Sequence, residues 1–315
     1  MDVVTFGESM ILINPETRGS LRYINNFSKS FGGAESNVAI ALSKLGHKIG
    51  WFSRLGNEEL GRYIHQAIRG EGVDVSRVIF DEVSNTGLMV KERTIGENPN
   101  VYYYRKNSAA SNLNPDDLDE DYIKEAKILH ITGITLAISK SARETVYRAI
   151  ELARRHNVTV TFDPNIRLKL WSLEEAREVI LDVARKADII FPGIDEAKLL
   201  LGIDDEKLAA KEFLAMGCKL VCVKLGEKGC YIQNESESLY VEGFEVKNVE
   251  DTAGAGDGFA AGFLSGMLRS LPLEECGRMA NAVGAMAIQV RGDMEGYPSY
   301  EQLQAFMGKG KSIDR

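Results

Sequence analysis

Asp251-Thr-Ala-Gly-Ala-Gly-Asp257-Gly-Phe-Ala-Ala-Gly262 is the stretch from which fold and chemistry are read. Small residues and glycines precede an aspartate and run directly into an apolar series of helical character. Backbone N–H groups at a helix start lack intrahelical partners and sit at the positive end of the dipole, so they collect anions. Glycines let such a backbone approach a phosphate closely. An aspartate beside that site is electrostatically costly unless it has a role, such as accepting a proton. The combination points to phosphoryl transfer to a hydroxyl. The plainer alternative is a glycine loop with a helix-capping aspartate.

Around this stretch, strand-length apolar runs alternate with amphipathic helical ones. Val3–Phe6, Ile49–Ser53, Ile128–Thr132, Val158–Phe162, Ile189–Phe191 and Leu220–Leu225 read as strands. Ala34–Leu45, Leu60–Glu71, Lys140–His156, Leu173–Lys186, Asp205–Met216 and Glu274–Val290 read as helices. Such alternation predicts an α/β fold with a parallel sheet covered on both faces and ligands at the strands' carboxyl ends. Asn14–Ser30 and Asn85–Arg105 break the pattern with strand-like and polar residues. They predict a small β-sheet flap, with a turn in the run 96–100. The run 308–315 reads as a frayed polar tail.

Composition narrows the function classes. A net charge of −8 gives no basic footprint, so nucleic acid and anionic membranes are poor partners. No apolar run approaches the length of a membrane span, and the amino terminus lacks the pattern of a signal peptide, which points to the cytoplasm. Cys218, Cys222, Cys230 and Cys276 lie in apolar surroundings without a nearby histidine, predicting buried thiols rather than a zinc site. No G-x-x-x-x-G-K-[ST] occurs, so a P-loop mechanism is excluded.

A second stretch, Gly32-Gly-Ala-Glu-Ser-Asn37-Val-Ala-Ile-Ala-Leu-Ser-Lys-Leu-Gly46, places paired glycines before a tightly packed helix with Gly46 as its C-terminal stop. Together the two stretches resemble the signatures of the PfkB (ribokinase-like) family of sugar kinases, and the resemblance runs from Gly7-Glu8 to Tyr297-Pro298. It implies a three-layer α/β/α sandwich with a mostly parallel central sheet and a small β-sheet lid. The whole chain, 1–315, would be one kinase domain with lid segments at about 14–30 and 85–107. Asp257 would be the general base, and Ala253, Gly254, Ala255 and Gly256 the anion hole. An ionised aspartate needs no large pKa shift for that role. ATP and Mg²⁺ would be required, with K⁺ a further candidate, and lid strands would pair subunits into a homo-oligomer.

The resemblance also distributes ligand contacts. Lys224, Gly226 and Gly229, in the run Val223-Lys-Leu-Gly-Glu-Lys-Gly229, would border the nucleotide with Gly254, Gly256 and Asn281. Gly193 in Phe191-Pro-Gly-Ile-Asp-Glu196 stands where the family usually has asparagine, leaving Glu196 and Asn165 to assist Mg²⁺ through water. For the acceptor, Tyr102-Tyr-Tyr-Arg105 on the flap and Asp163-Pro-Asn-Ile-Arg167 past a strand end offer two guanidiniums to one carboxylate. Tyr103 would share a face with Arg105. These runs resemble the branch of the family acting on 2-keto-3-deoxygluconate, in which Gly33 and Asn37 meet the sugar; Met89 stands where relatives can carry a flap tyrosine. A neutral-sugar kinase of fructokinase or ribokinase type, and a non-catalytic sugar-acid sensor, are the rival readings.

Overall fold

The computed structural model describes residues 1–93 and 100–309. Of the turn expected at 96–100, residues 96–99 lie outside them, as do residues 310–315 of the tail expected at 308–315.

An eight-stranded sheet forms the centre. From one edge its order is Ser238–Val241, Cys230–Asn234, Leu220–Lys224, Ile189–Ile190, Thr159–Asp163, Ile128–Thr132, Val3–Phe6, Ile49–Phe52. Pairing is parallel except for the first two strands, an antiparallel hairpin at the edge. Successive side chains in a strand face opposite sides, and here they divide between two cores. Val3, Ile128, Ile189 and Cys222 join one apolar cluster with Trp51 and Phe263. Their neighbours Val4, Leu129, Ile190 and Val221 join the other, with Phe162 and Phe213. Full burial contributes about 1.5–3 kcal/mol for each large apolar side chain, which favours this register over a one-residue slip.

Helices cover both faces. Ala34–Lys44, Ala255–Leu268 and Leu273–Ala287 pack on the first core. Lys140–Arg155, Leu173–Ala184 and Glu206–Met216 pack on the second. Ser139 illustrates how they begin: its hydroxyl accepts the Ala142 N–H at 3.0 Å, satisfying an orphan donor of the first turn. All four cysteines are buried free thiols.

A second sheet of four strands runs Phe27–Gly32, Met10–Pro15, Leu88–Lys91, Val101–Tyr104. Its first segment reaches beyond 14–30 at both ends, because Met10-Ile-Leu12 buries apolar side chains from the start. Pairing is not wholly antiparallel: Met10–Pro15 runs parallel to Leu88–Lys91. Met10, Leu12 and Met89 make its own small apolar cluster, so Met89 serves as packing. The hairpin Cys230–Val241 is the main element that the periodicity did not reveal.

Candidate active site

Gly254 caps the helix Ala255–Leu268 in the left-handed region, at φ 73°. A Cβ there would lie 1.9 Å from the Asp293 carbonyl oxygen, so the position admits only glycine. Tyr297 Oη donates to Gly254 O at 2.7 Å, and Asp251 Oδ1 accepts the Ala253 N–H at 3.1 Å. Ala255 N–H donates to Thr252 O at 3.4 Å. Among the described residues, the N–H groups of Gly254 and Gly256 donate to nothing in the protein. Those two glycine amides, rather than all four residues 253–256 equally, are open to an anion.

Asp257 is the third residue of that helix and is 8% exposed. Asn37 Nδ2, from the helix Ala34–Lys44, donates to its Oδ2 at 2.8 Å. Asn165 Nδ2 donates to its Oδ1 at 3.3 Å, from a residue held at φ 37° just past the strand Thr159–Asp163. The amide oxygens of both asparagines are buried without a protein partner. An orphaned acceptor costs roughly 1–3 kcal/mol, so the pocket is suited to a ligand that brings hydroxyl donors. Burial pushes the Asp257 carboxyl up to about 7; the Asn37 hydrogen bond opposes that shift and the nearby Asp163 charge adds to it. The role of base was expected to need no large shift; burial imposes an upward one.

Lys224 is at the end of its strand and pairs with Asp163 at 2.7 Å. Burial disfavours its charge, but Asp163 and then Glu196 outweigh that and raise its pKa. Lys224, Gly226, Gly229, Gly256 and Asn281 line one cavity of about 700 Å³, together with Thr252. That volume suits a nucleotide. Gly254 is not in its lining. Asn281 Nδ2 is spent on Val241 O and Glu242 O, both at 3.0 Å, which fastens its helix to the hairpin strand.

Glu196 is a buried carboxylate anchored on backbone. Its two oxygens accept the backbone N–H groups of Ile166 and Gly193, each at 2.8 Å, and burial raises its pKa. The carboxylate therefore ties two loops together. Among the described residues no group of three His, Cys, Asp or Glu could hold a metal ion. An ion here would be held through phosphates and water, as Mg²⁺ commonly is. Gly193 has ordinary φ of −74°, and a Cβ would meet only Glu196 Oε2, at 3.4 Å.

On the other side, a Cβ on Gly33 would lie 2.3 Å from Glu8 O, so the first strand's end presses against the start of the Asn37 helix. Glu8 is 2% exposed. Its Oε2 accepts Arg105 Nε at 2.7 Å and its Oε1 accepts Ser108 Oγ at 2.5 Å. The Arg105 guanidinium also lies 5.8 Å from the Tyr103 ring centre, and Lys169 Nζ lies 5.6 Å from the same ring. Lys169 Nζ donates to Val101 O at 3.2 Å, so the loop after the strand Thr159–Asp163 touches the lid. Arg167 on that loop is exposed, donates to Ile166 O at 3.4 Å, and opposes the upward shift of Asp257. The two arginines are thus unequal: one is fixed by a buried carboxylate, the other is exposed. Glu8 was missed from sequence, although a charged residue directly after a fully buried strand was a usable signal.

The profile described as "pfkB family carbohydrate kinase" matches residues 1–299. The chain is 42% identical over 316 residues to a 2-dehydro-3-deoxygluconokinase of Bacillus subtilis (strain 168), covering 99% of this chain and 97% of that one. It is 36% identical to a 2-dehydro-3-deoxygluconokinase of Thermoproteus tenax, covering 98% and 94%. A solved PfkB protein from Polaromonas sp. JS666 superposes with a TM-score of 0.90 at 40% identity, covering 96% of this chain and 99% of that chain.

Proposed function

The chain belongs to the pfkB family of carbohydrate kinases, and from that premise we propose that it transfers the γ-phosphoryl group of ATP to the terminal hydroxyl of 2-keto-3-deoxygluconate, giving the 6-phosphate. The carrying observation is Arg105, whose guanidinium is fixed by the buried Glu8, itself packed against Gly33 at the start of the helix that bears Asn37. A held guanidinium selects a carboxylate over a neutral sugar. Similarity to two 2-dehydro-3-deoxygluconokinases supports the same substrate.

Gly33 and Asn37 lie one helical turn apart, so the contact with Glu8 and the donor to Asp257 are neighbours along one helix. A short sugar acid spans that interval, carboxylate towards Arg105 and Tyr103, with Arg167 as second cation. Its terminal hydroxyl gives its proton to Asp257 as its oxygen bonds to the γ-phosphorus. The bond from that phosphorus to the bridging oxygen breaks and ADP leaves. The N–H groups of Gly254 and Gly256 face the charge on the transferring group, where preorganised donors are most effective. Mg²⁺ arriving with the nucleotide would neutralise phosphate charge. K⁺ is tested as an activator by exchanging it for tetramethylammonium.

Residues 1–315 act as one catalytic unit, with the small sheet excluding water from the transfer. No helix among the described residues is long and apolar enough to cross a membrane, and the enzyme works in the cytoplasm, where ATP is at hand. Tyr102 and Tyr104, 46% and 66% exposed on the lid, support a homo-oligomer formed through that sheet. The reaction is tested by phosphorus NMR of the product. A phosphomonoester on C6 supports the reading; a phosphate elsewhere, or no ester, overturns it.

A further inference from the structure

Lys91 belongs to the lid, yet its side chain ends against the phosphoryl-transfer loop. Its Nζ lies 2.7 Å from Asp293 Oδ1 and 3.3 Å from Asp251 Oδ2, and only 14% of the side chain is exposed. Both aspartates shape the anion hole. Asp251 Oδ1 accepts the Ala253 N–H, so its carboxylate bridges the lid and the loop. Asp293 O sits where a Cβ on Gly254 would fall, and Asp293 Oδ2 lies 2.3 Å from the corresponding position on Gly32. Glu250 and Asp251 donate their N–H groups to Ile288 O, binding the loop to the helix Leu273–Ala287 and the segment that follows it. Burial disfavours the Lys91 charge, but Asp293 and then Asp251 outweigh it and raise its pKa.

Without an ammonium there, two carboxylates would flank the place where the most negative part of ATP must settle. The strand bearing Lys91 also connects to the acceptor side. Lys91 pairs with Val101 and Leu88 with Tyr104, the residue directly before Arg105. The two strands form one hydrogen-bonded unit with an acceptor-binding residue at one end and Lys91 at the other.

We propose that Lys91 is a positioning residue that couples acceptor binding on the lid to assembly of the anion hole. When acceptor holds Arg105, the paired strands are fixed at both ends and keep the ammonium where it lies, between Asp251 and Asp293. The loop 251–256 is then neutralised and fixed before the nucleotide's phosphates enter. Thermodynamic reciprocity makes this measurable, because acceptor and nucleotide must tighten each other's binding equally. A residue that only supports the fold would weaken both ligands without altering their coupling.

The inference rests on the proposed acceptor only for the choice of probe. Turnover of 2-keto-3-deoxygluconate is therefore measured first; if it fails, that substrate reading falls, and the coupling is read with the neutral sugar that does turn over. Calorimetry then gives the affinity of a non-hydrolysable ATP analogue with and without saturating acceptor. In the parent protein the acceptor should tighten the analogue at least about fivefold. Lys91→Met should reduce that factor below about twofold, and Lys91→Arg should retain most of it. If Lys91→Met does not fold, Asp251→Asn serves instead: its side-chain oxygen can still accept from Ala253 N–H, yet the charge that ties Lys91 to the loop 251–256 is gone while Asp293 still holds the ammonium, so the coupling should also fall. No coupling in the parent, or parental coupling in Lys91→Met or Asp251→Asn, overturns the proposal.

Discussion

The proposed phosphoryl half of the site is built from backbone, whereas the proposed acceptor half is built from side chains gathered across the chain. Gly254, Gly256 and the first turn of Ala255–Leu268 occupy one uninterrupted stretch and present N–H groups. Glu8, Asn37, Arg105 and Asn165 come from four separate elements and meet only in the fold. A site made of amides is indifferent to which molecule carries the phosphate. A site made of side chains can be changed one residue at a time, which is how one scaffold serves different acceptors.

That contrast can be broken most sharply at Asp257, where the halves meet. Asp257→Asn should lower kcat by about 10²–10⁴-fold. Acceptor affinity measured by calorimetry should stay within about threefold, since Asn37 and Asn165 remain. A large loss of acceptor binding would instead assign Asp257 to recognition.

The next largest effect is expected at the buried acceptor arginine. Arg105→Ala leaves Glu8 buried without its partner and should lower kcat/KM by about 2–4 kcal/mol, or 30- to 1000-fold. Glu8→Gln keeps a hydrogen-bond acceptor and should cost less. Arg167→Ala, at an exposed position, should cost less than about 1 kcal/mol. Steady-state kinetics on the three variants ranks them, and an effect of Arg167 equal to that of Arg105 would show a symmetrical clamp.

A pH series separates the halves differently. Because Asp257 is raised to about 7, kcat/KM should climb through neutrality and level off above it. The stability consequence has the opposite slope. The carboxyl's ordinary value is 3.8, so as pH rises the unfolded chain loses this proton before the folded one does. Stability from this group is full below about pH 4 and is lost as pH rises to about 7. Asp257→Asn should therefore melt above the parent at pH 8 and gain nothing at pH 4. The smallest effect is expected at Gly193→Asn, where φ is ordinary and a Cβ would make only van der Waals contact with Glu196: about 0.5 kcal/mol or less in thermal unfolding.

The same contrast explains what was legible in the sequence. The sandwich could be read because each strand alternates residues between two cores, and Val3/Val4 or Ile189/Ile190 carry that pattern locally. The anion hole could be read because its glycines and aspartate are contiguous. The pairing of Glu8 could not, since its partners Arg105 and Ser108 are about a hundred positions away. The anchoring of Glu196 was hidden for a related reason: only coordinates show its two oxygens each accepting a backbone N–H, from Ile166 and Gly193. The Asp257 shift depends on burial, which no local pattern states. Lys91, at the end of a lid strand, gave no signal at all.

The central claim, that a phosphoryl site common to many sugars is given its specificity by the side chains around Arg105, is tested most directly by ADP release with sugar acids and neutral ketoses at equal concentration. Parent protein should turn over 2-keto-3-deoxygluconate with kcat/KM at least about a hundredfold above fructose or ribose, and Arg105→Ala should erase most of that preference. Equal or better turnover of fructose by the parent would contradict it.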